Sequence, residues 1–391
     1  TSDGAVNLYH DNALKFVTTS TGIDVTGTAV VDGLTSSAAI TSTSNSNSLG
    51  GTTFTSAISG TSASMSGSIT ISGNSNTFGS STISGNLSVD GGTIKLDGNY
   101  PTGTSNVFMG DAAGDSVASG AAQNVGIGTN ALTALTSGDN NTAVGYNALD
   151  VNTTGASNTG LGKGALSGNT TASNNTAVGF NSLVANTTGE YNTAIGSEAL
   201  DADTTGSRST ALGYASLSAQ NFTGGDISYN TAVGYASLTT NTTGTSNTGI
   251  GYQSLTTNTT GNNNTAIGVQ ALRLATTANN NTALGHLALG ANTTGNNNTA
   301  IGYLSLDANT VGDRSVAVGH ASLGNQNPAS NADMYNTAMG YAAGLGITTG
   351  VQNIAIGPVT MNGTCTGNTN TAVGYNALGD VTTGSSNVAI G

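Results

Sequence analysis

From Gly128 to Gly391 an aliphatic residue recurs immediately before a glycine, as in Asn141-Thr142-Ala143-Val144-Gly145. Sixteen such glycines occur; thirteen of the fifteen intervals between them are 17 residues and the other two are 21. With the glycine as position 0, position −1 is aliphatic in every repeat (Ile127, Val144, Leu161 and so on, with Met339 the odd member). Position −2 is always Ala or Gly, and position −3 is Thr in twelve of the sixteen and Val or Ile in the rest. Position +3 is mostly Ala or Ser, and position +4 is Leu in thirteen of fifteen, with Gly344 and Met361 the exceptions. A short fixed period of this kind marks a quasi-one-dimensional repeat protein.

β-Branched residues alternating with tiny ones predict a short strand at −3 to −1, with one packed face and one of close approach. A helix through the Ala-Leu segments is the rival, but Gly and β-branched residues are too dense for helical turns. The fold class expected is therefore all-β: a parallel β-solenoid of 17-residue coils over 106–391, with Asn106 to Gly110 as an irregular capping coil. The Asn-Thr-Thr-Gly stretch, as at Asn152 to Gly155, should make the second side, with its glycine supplying positive φ at the corner. Stacking puts Leu on Leu and Asn on Asn, about 4.8 Å apart. The core of so thin a coil is expected to be one −1 aliphatic plus one Leu. The all-small −2 column is then the surface on which other chains pack, and a homotrimer is expected.

Residues 1–105 lack the 17-residue period. Alternating pairs (Val6/Leu8, Leu14/Phe16, Ile23/Val25, Ile69/Ile71, Leu87/Val89, Ile94/Leu96) separated by turn residues predict short strands, with His10-Asp11-Asn12 as one turn. From Thr35 to Gly85 the chain is rich in Ser, Thr and Gly, as in a thin fibrous shaft wound from several chains, with a junction at Gly98 to Pro101.

Charged residues are 6% of the chain, and the net charge is −13 with six Lys and Arg. That balance excludes nucleic acid as a partner. Disorder is the other reading of such a composition, but a disordered chain needs no aliphatic residue at fixed phase. No apolar run reaches the length of a membrane span. The single Cys365 excludes an intrachain disulfide framework or a cysteine metal site, and it reads as a small buried or turn residue.

Little catalytic chemistry is legible. His286 and His320 fall at +1, the position of Tyr146, Tyr214, Tyr235, Tyr252, Tyr303, Tyr341 and Tyr375, and read as half-exposed rings in an aromatic column. None of the three histidines has a companion at ligand spacing, so no metal is expected. A glycosidase needs two carboxylates across one sugar bond. The nearest pair, Asp201 and Asp203, sits where other coils carry turn residues and reads as a solvated turn. No catalytic residue and no cofactor is expected, and the protein is not expected to be an enzyme. The two longer intervals place insertions at 218–230 and 324–336, and Asp201…Arg208-Ser209 corresponds to Asp307…Arg314-Ser315 at an offset of 106, which implies a duplicated six-coil block. The insertions carry Phe222, Tyr229, Met334 and Tyr335, bulky groups that could touch a receptor or partner, or else cover the Leu column where a loop bulges.

The segments Arg314 to Leu323, Asn353 to Gly357 and Asn387 to Gly391 resemble the head repeats of trimeric autotransporter adhesins, although the period of those heads is shorter. The variant Asn-Thr-Ala-Val-Gly-Tyr-x-Ala-Leu-x-x-Asn-Thr-Thr-Gly looks like arrays in phage tail fibres, particularly marine ones. Gly4 to Tyr9 and Thr21 to Gly27 are similar to segments of those fibres. The resemblance implies a left-handed β-roll, three parallel chains, and a C-terminal chaperone that is removed, for which a cut at Gly391 would fit. We therefore expect a structural, adhesive virion tail fibre that displays a host-attachment surface. Its partners would be itself as a homotrimer, a host surface glycan or protein, and other virion or fibre subunits, without membrane insertion. The expected location is the virion, or the extracellular or cell-surface space. The alternative is a bacterial cell-surface adhesin head or extracellular filament subunit. A tailspike-like polysaccharide depolymerase and an ice-binding solenoid rank below it.

Overall fold

A computed structural model describes residues 6–19, 22–25, 105–118 and 120–391, which fall into two units. In the first, strands β1 (Asn7–His10), β2 (Ala13–Thr19) and β3 (Gly22–Val25) form an antiparallel sheet in that order. Asp11 and Asn12, at φ 52° and 58°, make the two-residue turn that pairs His10 with Ala13. Two successive positive φ values match the twist of a tight hairpin. The remaining strands expected before residue 105, the shaft and its junction lie outside the described residues.

The second unit is a β-solenoid. Seventeen strands of three residues each stack in parallel and in register, from Val107–Met109 to Val388–Ile390. Thr142, Ala143 and Val144 pair with Thr159, Gly160 and Leu161, and the same correspondence continues rung by rung. No registered pairing joins the last strand to the first, so the ladder is an open stack. At the usual strand spacing it extends roughly 75 Å. The described residues contain no helix.

Four points in each coil turn the backbone through positive φ. In the coil of Gly145 they are Asn140 (58°), Gly145 (137°), Asn147 (54°) and Leu149 (52°). The anchor glycines lie at 119–140°, and a Cβ on Gly145 would stand 2.5 Å from the carbonyl oxygen of Gly162. Conformation and clearance both demand glycine there. Hydrogen bonds from Ala148 N to Gly145 O (3.4 Å) and from Asn152 N to Leu149 O (3.2 Å) close two turns within the coil. Between coils, Gly145 N donates to Ile127 O and Thr153 N to Thr170 O, both at 2.8 Å. The glycine of Asn-Thr-Thr-Gly, expected as the positive-φ corner, has no positive φ. It serves close approach instead: a Cβ on Gly155 would meet Ala172 O at 2.2 Å and Asn152 Oδ1 at 2.4 Å. The fit is not absolute, since Ala172 and Ala278 occupy the same position in their own coils.

The two faces of the strand are the reverse of those expected. The −2 alanines are fully buried as far as Ala372, whereas the −1 residues face outward: Val144, Val178 and Val233 are half-buried, and the exposed ones run from 36% at Ile250 to 78% at the terminal Ile390. The core is a column of +4 leucines, from Leu132 to Leu323, packed on the −2 and +3 alanines and serines. Leu fills the coil from the turn side, so only Ala or Gly fits opposite it. The first rung shows the limit: Phe108 takes the −2 position, and its ring lies 2.7 Å from where a Cβ on Gly114 or Gly126 would sit. Those two glycines make room for a ring that packs on the end of the core.

Two buried asparagine ladders complete the interior. At −4, the backbone N–H of Asn141 donates to Asn124 Oδ1 (2.8 Å), and its Nδ2 donates to Gly155 O (2.9 Å). At +7, Asn169 Nδ2 donates to Asn152 Oδ1 (2.9 Å) and to Ala172 O (3.0 Å). An amide carries both donor and acceptor, so in-register copies satisfy one another without water.

Candidate functional surfaces

Three outward features of the solenoid can meet a partner. The first is the −1 aliphatic column on the ladder face. The second is the +1 column just past each anchor glycine. Tyr214, Tyr235 and Tyr252 stack with ring centres 5.3 and 5.4 Å apart, and His286, Tyr303, His320 and Tyr341 form a second run at 5.0–5.4 Å. The half-exposed aromatic column expected from the sequence is present. Lys163 enters it between Tyr146 and Phe180, with Nζ 5.9 and 5.6 Å from their ring centres. Because successive rings stack on one another, their faces are covered and their edges point outward. Such rings suit lateral packing better than stacking on a sugar. The negative charge of Glu198 nearby pushes the Tyr214 phenol's pKa up.

The third feature is the pair of insertions. Phe222 and Met334 are buried, whereas Tyr229 and Tyr335 are 56% and 48% exposed. Of the four candidate contact residues, only these two tyrosines reach the surface. Each meets an arginine one rung earlier, which the sequence marks as part of the duplication but not as a contact residue. Arg208 Nη1 donates to Tyr229 Oη at 3.4 Å, and Arg314 Nη1 to Tyr335 Oη at 3.3 Å. The flanking backbone corresponds too: Ser207 bridges Ile227, as Asp313 pairs with Asp333. The two blocks therefore fold alike at the offset of 106 residues. The signal for the arginines was available, since Arg208, Tyr229, Arg314 and Tyr335 all share position −5.

Of the two nearest acidic residues, Asp201 and Asp203, the second lies inside the coil. Asp203, expected as a solvated turn, has no exposed area and occupies the +7 amide ladder. Gln220 Nε2 donates to its Oδ2 at 2.6 Å, and the N–H groups of Gly206 and Phe222 donate to its Oδ1, each at 3.1 Å. Burial pushes its pKa above the ordinary carboxylate value of 3.8, against the opposing pull of those donors. Having no amide hydrogens, Asp203 leaves Asn186 Oδ1 without a partner. Burial likewise raises Asp150, Asp201 and Asp307 at position +5. Cys365 is buried, as expected, and its thiol pKa is also raised by burial. Among the described residues no three His, Cys, Asp or Glu side chains cluster as a metal site, and no helix is long and apolar enough to cross a membrane. Comparison with family models, with curated proteins and with solved structures finds no match in any of the three.

Proposed function

We propose that the chain is a structural, adhesive fibre subunit, most simply a virion tail fibre, in which three copies run in parallel with left-handed coils. The observation that supports this reading is the −1 aliphatic column, half-buried to exposed, beside a +1 column that is mostly aromatic, with Thr129, Lys163 and Ser197 among its members. The seven +1 tyrosines, roughly half exposed, alone present about 700 Å² if each ring offers ~200 Å² in full. The aliphatic column adds to that. A stable interface takes about 800 Å² per partner, and exposed apolar surface on this scale marks an association face. The ladder face, rather than the −2 alanines, is then where copies meet. The assembled rod presents the −5 corners and the insertions outward, and three copies multiply weak contacts with a host surface.

Sedimentation equilibrium and negative-stain images of the full chain test this reading. The expected result is a rod with three times the chain mass, reduced to single chains by Ile250→Lys with Leu284→Lys while the β-type circular dichroism is kept. A single-chain mass for the unaltered protein, or assembly indifferent to those lysines, overturns it. An adhesin head on a cell surface has the same architecture, and the neighbouring sequence of the full gene separates the two.

One observation favours a second reading. Thr at −3 and an aliphatic residue at −1 face outward on rung after rung, as at Thr248/Ile250 and Thr282/Leu284. This is the regular array an ice-binding face requires. Thermal hysteresis of the native chain, compared between the intact assembly and chains dissociated by dilution, distinguishes it, because assembly would cover the array.

A further inference from the structure

Position −5 forms an outward corner at the far end of each strand from the +1 column. Over three successive rungs this corner carries Tyr191, Arg208 and Tyr229. The Arg208 guanidinium carbon lies 5.6 Å from the Tyr191 ring centre and 5.9 Å from that of Tyr229, within cation–π range of both. The two rings flank an exposed side chain, whose Nη1 donates to Tyr229 Oη. Among the described residues Arg208 makes no ion pair.

The duplicated block shows what this arrangement accepts. Arg314 pairs with the Asp333 carboxylate, and its Nη1 donates to Tyr335 Oη. The Tyr335 hydroxyl in turn donates to Asp333 Oδ2 at 3.2 Å. One carboxylate is thus gripped by a guanidinium and a phenol together. At the equivalent place beside Arg208 stands Ile227, 43% exposed, which offers no charge.

We propose that Arg208 and Tyr229 form a binding site for an external carboxylate, that of an acidic sugar in a host glycan, with Asp333 filling the matching site in the second block. Arginine's planar fork suits a carboxylate. The corner continues through Asn174 on one side and Ser246 and Asn263 on the other, amides and hydroxyls that suit a hydroxyl-rich chain. A net charge of −13 gives no long-range attraction to an anion, so recognition rests on short contacts. The proposal deepens the fibre reading by naming the receptor chemistry, and assembly mass is measured separately, so either can fail alone.

The test is calorimetric titration of the native assembly with sialyl-lactose and with an oligogalacturonate. Lactose, the methyl-esterified oligogalacturonate, an acidic peptide and inorganic phosphate serve as comparisons. The expected result is one carboxylated sugar per chain, at least tenfold weaker with Arg208→Gln and with Ile227→Asp, at unchanged melting temperature and assembly mass. Ile227→Asp keeps the arginine and supplies the competing carboxylate from within. Asp333→Ala should raise the stoichiometry to two. Millimolar sugar that fails to bind overturns the proposal, as does binding indifferent to both Arg208→Gln and Ile227→Asp. A stoichiometry that stays at one in Asp333→Ala also overturns it. Equal affinity for the peptide or for phosphate overturns the sugar assignment.

Discussion

Truncating a core leucine separates two contributions that the coil combines. Leu255 is fully buried between the leucines of adjacent rungs and holds a φ of 50°. Leu255→Ala removes a buried isopropyl group, and the coil cannot collapse, because each backbone is hydrogen-bonded to the next. The loss should be about 3–5 kcal/mol, the range for such cavities. The left-handed conformation itself costs an L-residue about 1–2 kcal/mol, and alanine pays it as leucine does. Leu255→Gly is relieved of that strain. It gives up one further buried carbon, about 0.8 kcal/mol, and gains about 0.5–1 kcal/mol of unfolded-state freedom. The two sides nearly cancel, so the glycine variant should match the alanine variant to within about 0.5 kcal/mol. At a buried position of ordinary φ the same arithmetic makes glycine worse by roughly 1.5 kcal/mol. Gly344, in the same place at φ 63°, is the natural precedent; there Leu323 and Ile347 fill the space. Solenoids need not unfold in one step, so urea titration should be paired with exchange of the Leu238 and Leu255 amides. These donate to Ser254 O and Ala271 O. A glycine variant less stable than the alanine variant by more than about 1 kcal/mol would refute the claim that leucine is held under strain at this turn.

Two further outcomes follow from the interior. Gly251→Ala places a Cβ 2.5 Å from Gly268 O at φ 133°, which should destabilise the array by about 3 kcal/mol or more; a melting temperature within a degree of the native value would contradict the packing described. The Asp203 carboxyl titrates higher in the folded chain than its value of 3.8, so the native state binds the extra proton between those two pKa values. Stability therefore rises as pH falls through that window and is lowest, and flat, above it. Asp203→Asn should abolish this component in urea midpoints measured across acidic pH, and an unchanged pH profile would count against it.

The period made the fold legible, because sixteen glycines in phase leave one way to stack identical coils. The orientation of the strand was not legible from the same residues. Thr142, Ala143 and Val144 alternate as a half-buried strand should, and hydrophobicity alone sends Val144 inward. What decides is volume: Leu149, turned by its positive φ toward the strand, already fills a coil this narrow. The telling sign was that position −2 never exceeds Ala across sixteen repeats, as a filled space requires, and that Phe108 is allowed only where Gly114 and Gly126 clear it. The stacking of Asn on Asn followed from the period, but the burial of those ladders did not, for a related reason. A stretch such as Asn152-Thr153-Thr154-Gly155 reads as a solvated turn in one coil, and becomes interior only when its copy above supplies the missing hydrogen bond. The carboxylate at Asp203 and the amide at Asn309 show the same dependence. Asp203 accepts from Phe222 N–H, whereas the corresponding residue beside Asn309 is Pro328, which has no N–H to give. Each side chain at that place is matched to a residue one rung away, so the pair, and not either residue alone, carries the meaning. For the same reason Arg208 and Tyr229 become a candidate site only once consecutive rungs are laid side by side.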